Sequence, residues 1–268
     1  MRVQYFVPPA SRDASSLFRR PKGHIIVERR SISVVDRVAS ARDRLAAAAR
    51  RQAGKPVANN EEYYGGDRQE EQAPSRSQVD GMLTRNHYGC IVLNAAHALF
   101  IDVDLLPAGQ RNRRLEPWQQ VLSDLRIVLA GEHGHGFRIY RTAAGFRILS
   151  TSRKFEPGSP KSHRLMQLVG ADVAFVELCR IQNSFRARLT PKPWRCGVRR
   201  PPNFFPRETA DEKLRFTEWL SHYERACRSY STCQYLGHVG PDAIHERIAP
   251  IVELHDRESK AHAALPLA

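Results

Sequence analysis

The chain has little that would let it enter or cross a membrane. No run in its 268 residues approaches the roughly 18 uninterrupted apolar positions of a membrane-spanning helix. The opening MRVQYFVPPASRD lacks the apolar stretch of about 7–15 residues that precedes a signal cleavage site, so secretion by a cleavable signal is not expected. Cysteine is scarce as well. Cys90, Cys179, Cys196, Cys227 and Cys233 are an odd number with no CxxC pair, in a chain long enough to bury a core without staples. This excludes a disulfide scaffold and reads as reduced thiols in a cytoplasm. Cys227 and Cys233, taken with His222 and His238, fit no zinc ribbon or finger spacing. A G-x-x-x-x-G-K-[ST] loop, a G-x-S-x-G elbow and an H-E-x-x-H helix are all missing, which removes the common ATPase, hydrolase and zinc-protease readings. There is no internal repeat.

Negative charge is the most telling shortage. Against 42 Lys and Arg there are 28 Asp and Glu, a formal charge of +14, so polyanions are the natural partners. Hydrophobic residues at 41% and charged residues at 26% are otherwise those of an ordinary folded domain. The excess is concentrated: residues 138–200 carry 14 Lys and Arg and only 3 Asp and Glu. A solvated face mixes signs, whereas such a concentration matches an electrostatic footprint for nucleic acid.

Three regions are expected. Residues 1–80 hold a basic helical segment (35–52) and a polar linker, GKPVANNEEYYGGDRQEEQAPSRSQ, too poor in apolar residues to offset its own ordering entropy. Residues 81–200 form the core. Within it YGCIVLN and ALFIDVDL, joined at Ala95-Ala96-His97, read as a hairpin. A helix follows from Glu116-Pro117, with Trp118, Val121, Leu122, Leu125 and Leu129 on one face and Gly131 as its stop. FRIYRTAAGFRILSTS gives a second hairpin, where Gly145 supplies a permissive turn. Helices near 159–169 and 172–180 and an extended run at 184–191 complete an α+β order, an antiparallel sheet with helices on one face. Residues 201–268 read as a helical region, with candidates at 211–230 and 241–258.

Phe100-Ile101-Asp102-Val103-Asp104 is the most informative short segment. Period-two alternation puts Asp102 and Asp104 on one strand face about 7 Å apart. Such a pair repels unless a cation or basic groups lie between, and a divalent ion is one remedy; arginines are the other. Glu132-His133-Gly134-His135-Gly136 reads first as a flexible loop, with metal binding as the alternative. In SFRARLTPKPWR, Arg186 and Arg188 share a strand face, and Lys192, Trp194 and Arg195 follow at once. Paired arginines beside an aromatic make a phosphate and base platform.

The acidic strand, followed after one helix by the small-residue turn Thr142-Ala143-Ala144-Gly145-Phe146-Arg147, resembles the catalytic module of the archaeo-eukaryotic primase superfamily, the primase-polymerases, over residues 88–195, about 40% of the chain. The resemblance implies an RRM-like antiparallel sheet. It also implies Asp102 and Asp104 as ligands of Mg²⁺ or Mn²⁺ that bridge a nucleoside triphosphate. Arg147 stands where the family carries a phosphate-contacting histidine, and Arg141 lies nearby to steady the triphosphate. The family's later acidic strand corresponds here to a run bearing Arg186 and Arg188. Two functions follow as expectations: a metal-dependent nucleotidyltransferase acting on nucleic acid, with Asp102, Asp104 and Arg147 catalytic and Arg186, Arg188 and Lys192 holding template or primer, or a non-catalytic basic nucleic-acid-binding protein whose acids are structural.

Overall fold

The computed structural model describes residues 34–53, 71–72, 80–105, 118–171 and 173–268. In chain order the elements are α1 (Val34–Ala53), β1 (Glu71–Gln72), β2 (Gly81–Arg85), β3 (Ile91–Ala95), β4 (Phe100–Asp104), α2 (Trp118–Ala130), β5 (Phe137–Thr142) and β6 (Gly145–Ser150). Then come α3 (Pro160–Leu168), α4 (Val173–Ile181), β7 (Phe185–Arg188), α5 (Ala210–Cys227), β8 (Cys233–Val239) and α6 (Ala249–Ser259). The strands form two sheets, β1-β2-β3-β7 and β4-β6-β5-β8, with antiparallel pairing throughout. Among the described residues this is an α+β protein of two antiparallel sheets and six α-helices. No described helix is long and apolar enough to cross a membrane.

The core follows from local periodicity. Val121, Leu122, Leu125, Val128 and Leu129 recur at helical spacing and are buried on one face of α2. β6 is buried along its whole length, as a central strand between β4 and β5 must be. The basic helix α1 packs against α2. Its Ala41 and Leu45 enter the same core, and Arg44 clamps the buried Asp124 through two bonds of 2.8 and 2.6 Å. Most of the stretch read as a linker lies outside the described residues, as do Glu116 and Pro117. Glu71 and Gln72 pair with Arg85 and Thr84.

The first expected hairpin does not form. β3 pairs with β2 and β7, and β4 pairs with β6 in the other sheet. At Ala95-Ala96-His97 the chain crosses between the sheets instead, burying Ala98 and Leu99 on the way. The expected helical C-terminal region is interrupted too. β8 lies between α5 and α6 and forms the edge of the second sheet beside β5, and α6 begins at Ala249 rather than near Pro241. A shift of register at Ile139/Tyr140 and Gly237 at φ 129° break the alternation that would have marked β8 as a strand.

The β5–β6 hairpin forms as read, for a different reason at Gly145. A Cβ there would lie 1.9 Å from the carbonyl oxygen of Val103 on β4, so glycine is required by the close approach of a neighbouring backbone. Gly145→Ala is expected to lower stability by at least about 2 kcal/mol in urea unfolding; an unchanged midpoint would show that β4 and β6 are not held this tightly.

Candidate nucleic-acid interface

The antiparallel register sets Asp102 directly opposite Arg147. Arg147 is one of the largest fully buried side chains, 2% exposed. Its Nε and Nη2 donate to the two carboxylate oxygens of Asp102 at 2.7 and 2.9 Å, and its Nη1 donates to the Arg188 carbonyl on β7 at 2.9 Å. Burial works against the guanidinium's charge, but the Asp102 carboxylate more than offsets it and holds Arg147 above its ordinary pKa. The repulsion that would call for a shared cation between Asp102 and Asp104 is thus already relieved by arginine. With both Asp102 oxygens engaged and Asp104 exposed at the strand end, the donor set as it stands does not fit an ion held by the two together. Among the described residues there is no group of three or more His, Cys, Asp or Glu side chains that could hold a metal ion. Arg141 donates to the carbonyls of Thr142 and Gly145 and lies over the Trp118 and Phe146 rings. His133 and His135 sit in the loop after α2, where burial lowers the His135 pKa.

Cys233, His255 and Asp256 have the outline of a nucleophile, base and orienting acid: Sγ lies 3.9 Å from Nε2, and Nδ1 lies 3.1 Å from the Asp256 carboxylate. Cys233 and His255 are wholly buried, and burial raises the thiol and lowers the imidazole. No substrate can reach the sulfur. Asp256 also accepts from Arg138 and Tyr140, which makes this a satisfied core network.

The basic platform read from SFRARLTPKPWR divides in two. Arg186 is buried and donates to Gln182, so it faces inward. Arg188 is half-buried, with an Nε that has no hydrogen-bond partner among the described residues. Beyond β7 the chain turns outward through a short 3₁₀ turn, Pro193–Arg195. There Lys192 and Trp194 meet Tyr88 of the 86–90 turn that precedes β3, and Arg195 is half-buried. Tyr88 and Trp194 meet edge to face at 5.1 Å. The Lys192 ammonium lies 5.8 and 5.4 Å from their two ring centres, and the Arg200 guanidinium 5.6 and 5.3 Å. Trp194 remains 44% exposed. The aromatic strip continues through His87, whose ring centre is 3.7 Å from that of Tyr88 and 6.5 Å from that of Phe204, itself 53% exposed.

Helix α5 holds this loop in place. Its N-terminus is fixed by a capping box between Thr209 and Glu212, and Phe216, Trp219 and Tyr223 stack along one face. Tyr223 Oη donates to the Pro191 carbonyl at 2.6 Å, and Trp219 Nε1 donates to the Arg199 carbonyl at 2.8 Å. Gly89, at φ 80°, leaves no room for a side chain: a Cβ would lie 2.3 Å from the Trp219 ring.

Burial pushes Lys192 down to about 8, aided by the nearby charges of Arg188 and Arg195 and opposed by Asp104. A cation held this way gains from any anion that approaches it. Tyr88, His87, Arg200, Phe204 and Arg207 were not singled out from the sequence. For Arg200, Phe204 and Arg207 the signal is the stretch 184–207, which holds seven Lys and Arg and not one Asp or Glu, with Trp194, Phe204 and Phe205 interleaved; His87 and Tyr88 lie outside it.

No protein-family model, curated protein or solved structure matches the chain. The pair at the sheet junction gives a check of its own. Removing one partner leaves the other charge buried, so Arg147→Met and Asp102→Asn are each expected to cost about 3 kcal/mol, the low end because Asp102 keeps some contact with solvent. The double substitution Asp102→Leu with Arg147→Met should recover most of that loss. Additive losses in denaturant titrations would show that the two side chains are not coupled.

Proposed function

We propose that this protein binds nucleic acid through the strip formed by Tyr88, Trp194, Lys192 and Arg200, as a non-catalytic binding protein whose acidic strand is structural. One observation carries the reading: two cations sit over the same pair of rings, on an acid-free loop braced from behind by α5. Rings supply faces for bases, and Lys and Arg supply charge for phosphates. The engagement of Asp102 by Arg147 supports the structural role of the acid.

Binding should weaken as salt rises. If three or four cations engage phosphates of a single strand, log K should fall with log salt at a slope of about −2 to −3. Anisotropy with a labelled oligonucleotide measures this, and Trp194→Ala should cost about 1–3 kcal/mol. Binding should be indifferent to Mg²⁺ and EDTA. Affinity that does not respond to salt or to Trp194→Ala contradicts the reading.

Lys192 adds a pH signature. Its pKa is lowered to about 8, so the free protein loses this charge as pH rises through 8, and affinity should fall between about pH 7 and 9. The groups around it are Arg188, Arg195, Asp104 and Cys90, with the Tyr88 and Trp194 rings. Burial raises the Cys90 thiol above its ordinary value, away from this window. Lys192→Arg should therefore keep affinity at pH 7 and abolish the fall. A fall that persists in this variant rules out Lys192 as its source.

A second reading, a primase-polymerase-like nucleotidyltransferase, is favoured by connectivity. β4, helix α2 and the β5–β6 hairpin follow one another, with β6 next to β4 and Asp102 facing Arg147 across the pair. Asp104 is the residue that separates the two readings, because it is exposed and its replacement does not strand Arg147. Mn²⁺-dependent incorporation of nucleoside triphosphates that is lost in Asp104→Asn supports the transferase. Oligonucleotide binding without incorporation, retained in Asp104→Asn, supports the binding protein.

A further inference from the structure

Positive charge around the Tyr88 and Trp194 rings is carried almost wholly by arginine. Of the seven cations in residues 184–207, six are arginine and one, Lys192, is lysine. A guanidinium keeps its proton at any ordinary pH, whereas an amine that gives up its proton becomes a nucleophile. The single lysine stands at the crowded point of the group. It is half-buried on the loop braced by α5, its nitrogen 5.8 and 5.4 Å from the two ring centres. The Arg200 guanidinium shares those rings at 5.6 and 5.3 Å, and Arg188 and Arg195 repel the ammonium as well.

Burial beside rings and next to other cations is the setting that turns a lysine from a point charge into an amine able to attack a carbonyl. Asp104 pulls the other way. With the balance struck at about 8, roughly one Lys192 in ten is unprotonated at pH 7, against fewer than about one in a thousand for an ordinary lysine.

We propose that Lys192 forms an imine with an aldehyde carried by the bound strand, namely the ring-opened C1′ aldehyde of a deoxyribose that has lost its base. The inference rests on the nucleic-acid reading above and names a substrate class for the same strip. An intact strand offers the amine no aldehyde. Where a base is missing, the neighbouring base still has the exposed Trp194 ring and the adjoining phosphate still has Arg200, which leaves the baseless sugar beside Nζ. The Nζ lone pair adds to the aldehyde carbon. The carbonyl oxygen, having taken both amine protons, leaves as water, and a carbon–nitrogen double bond replaces the carbon–oxygen one. No oxidant or reductant is consumed.

The test incubates the full chain with two short single-stranded oligonucleotides. One carries a single abasic deoxyribose at its centre, and the other a tetrahydrofuran in the same place, with the same phosphates and no aldehyde. Protein is kept above the amount that saturates binding by anisotropy, so that yield reports chemistry rather than affinity. Cyanoborohydride delivers hydride to the imine carbon and fixes the adduct as a secondary amine. The abasic strand should become covalently attached, with Lys192 as the modified residue in peptide mass spectrometry, and the tetrahydrofuran strand should bind without an adduct. Lys192→Arg should lower the yield at least tenfold, to order of magnitude about the loss expected when the attacking amine is removed, while Lys213→Arg, at an exposed position of α5, should leave it unchanged. The peptide mapping uses the unaltered chain, so it decides the matter even if the Lys192 variant fails to fold. Binding of both strands with no adduct at Lys192, or adducts spread equally over other lysines, overturns the imine and leaves the polyanion reading intact. Failure of both strands to bind removes that reading and the inference with it.

Discussion

A single guanidinium joins the two sheets. Arg147 rises from β6 at the centre of one sheet, takes both oxygens of Asp102 on the neighbouring strand, and reaches the Arg188 carbonyl on β7 of the other sheet. Burying a charge is costly unless it is paired and its donors are satisfied. Here the charge and its partners lie on three different strands, β6, β4 and β7, so the charge is satisfied only when those strands are in register. A shift of β4 by one residue would turn Asp102 away and leave Arg147 unpaired. The pair thus makes correct assembly of the sheets a condition for burying Arg147.

The loop that carries Lys192 and Trp194 takes its position from this junction. β7 ends at Arg188, and the chain passes within a few residues to Lys192 and Trp194. With β7 bound to β3 along one side and to Arg147 at its end, the loop departs from a fixed point. Helix α5 then braces it from behind through Tyr223 and Trp219. Sites on rigid supports lose less entropy when they bind, and this loop is supported at both ends. Lys192 illustrates the balance: two rings attract its charge, while burial and two arginines oppose it. An anion brought close to the ammonium would offset that opposition.

Much of the architecture was legible where a feature is local. The α2 stripe, the Ala143-Ala144-Gly145 turn and the helices around 160–168 and 210–227 depend on residues close in sequence, and their periodicity states them directly. The junction was not legible in that way. Asp102 and Arg147 are far apart in the chain, and only strand register puts them opposite each other, so an acidic pair that reads as a cation site is answered by arginine. Tyr88 and Arg200 were missed for the same reason, since nothing local links the turn before β3 to the loop after β7. β8 was missed because a bulge and Gly237 break its alternation. Trp194 and Lys192 were found because their neighbours in sequence are also their neighbours in space.

Hydrogen–deuterium exchange on the intact chain, with and without a saturating single-stranded oligonucleotide, tests the central claim directly. Protection gained in the peptides covering residues 86–89 and 192–207, with β4 and the start of β6 unchanged, is the expected result. Protection that appears instead at residues 100–105 and 145–147 would place the nucleic acid on the acidic strand and contradict a structural role for the Asp102–Arg147 pair.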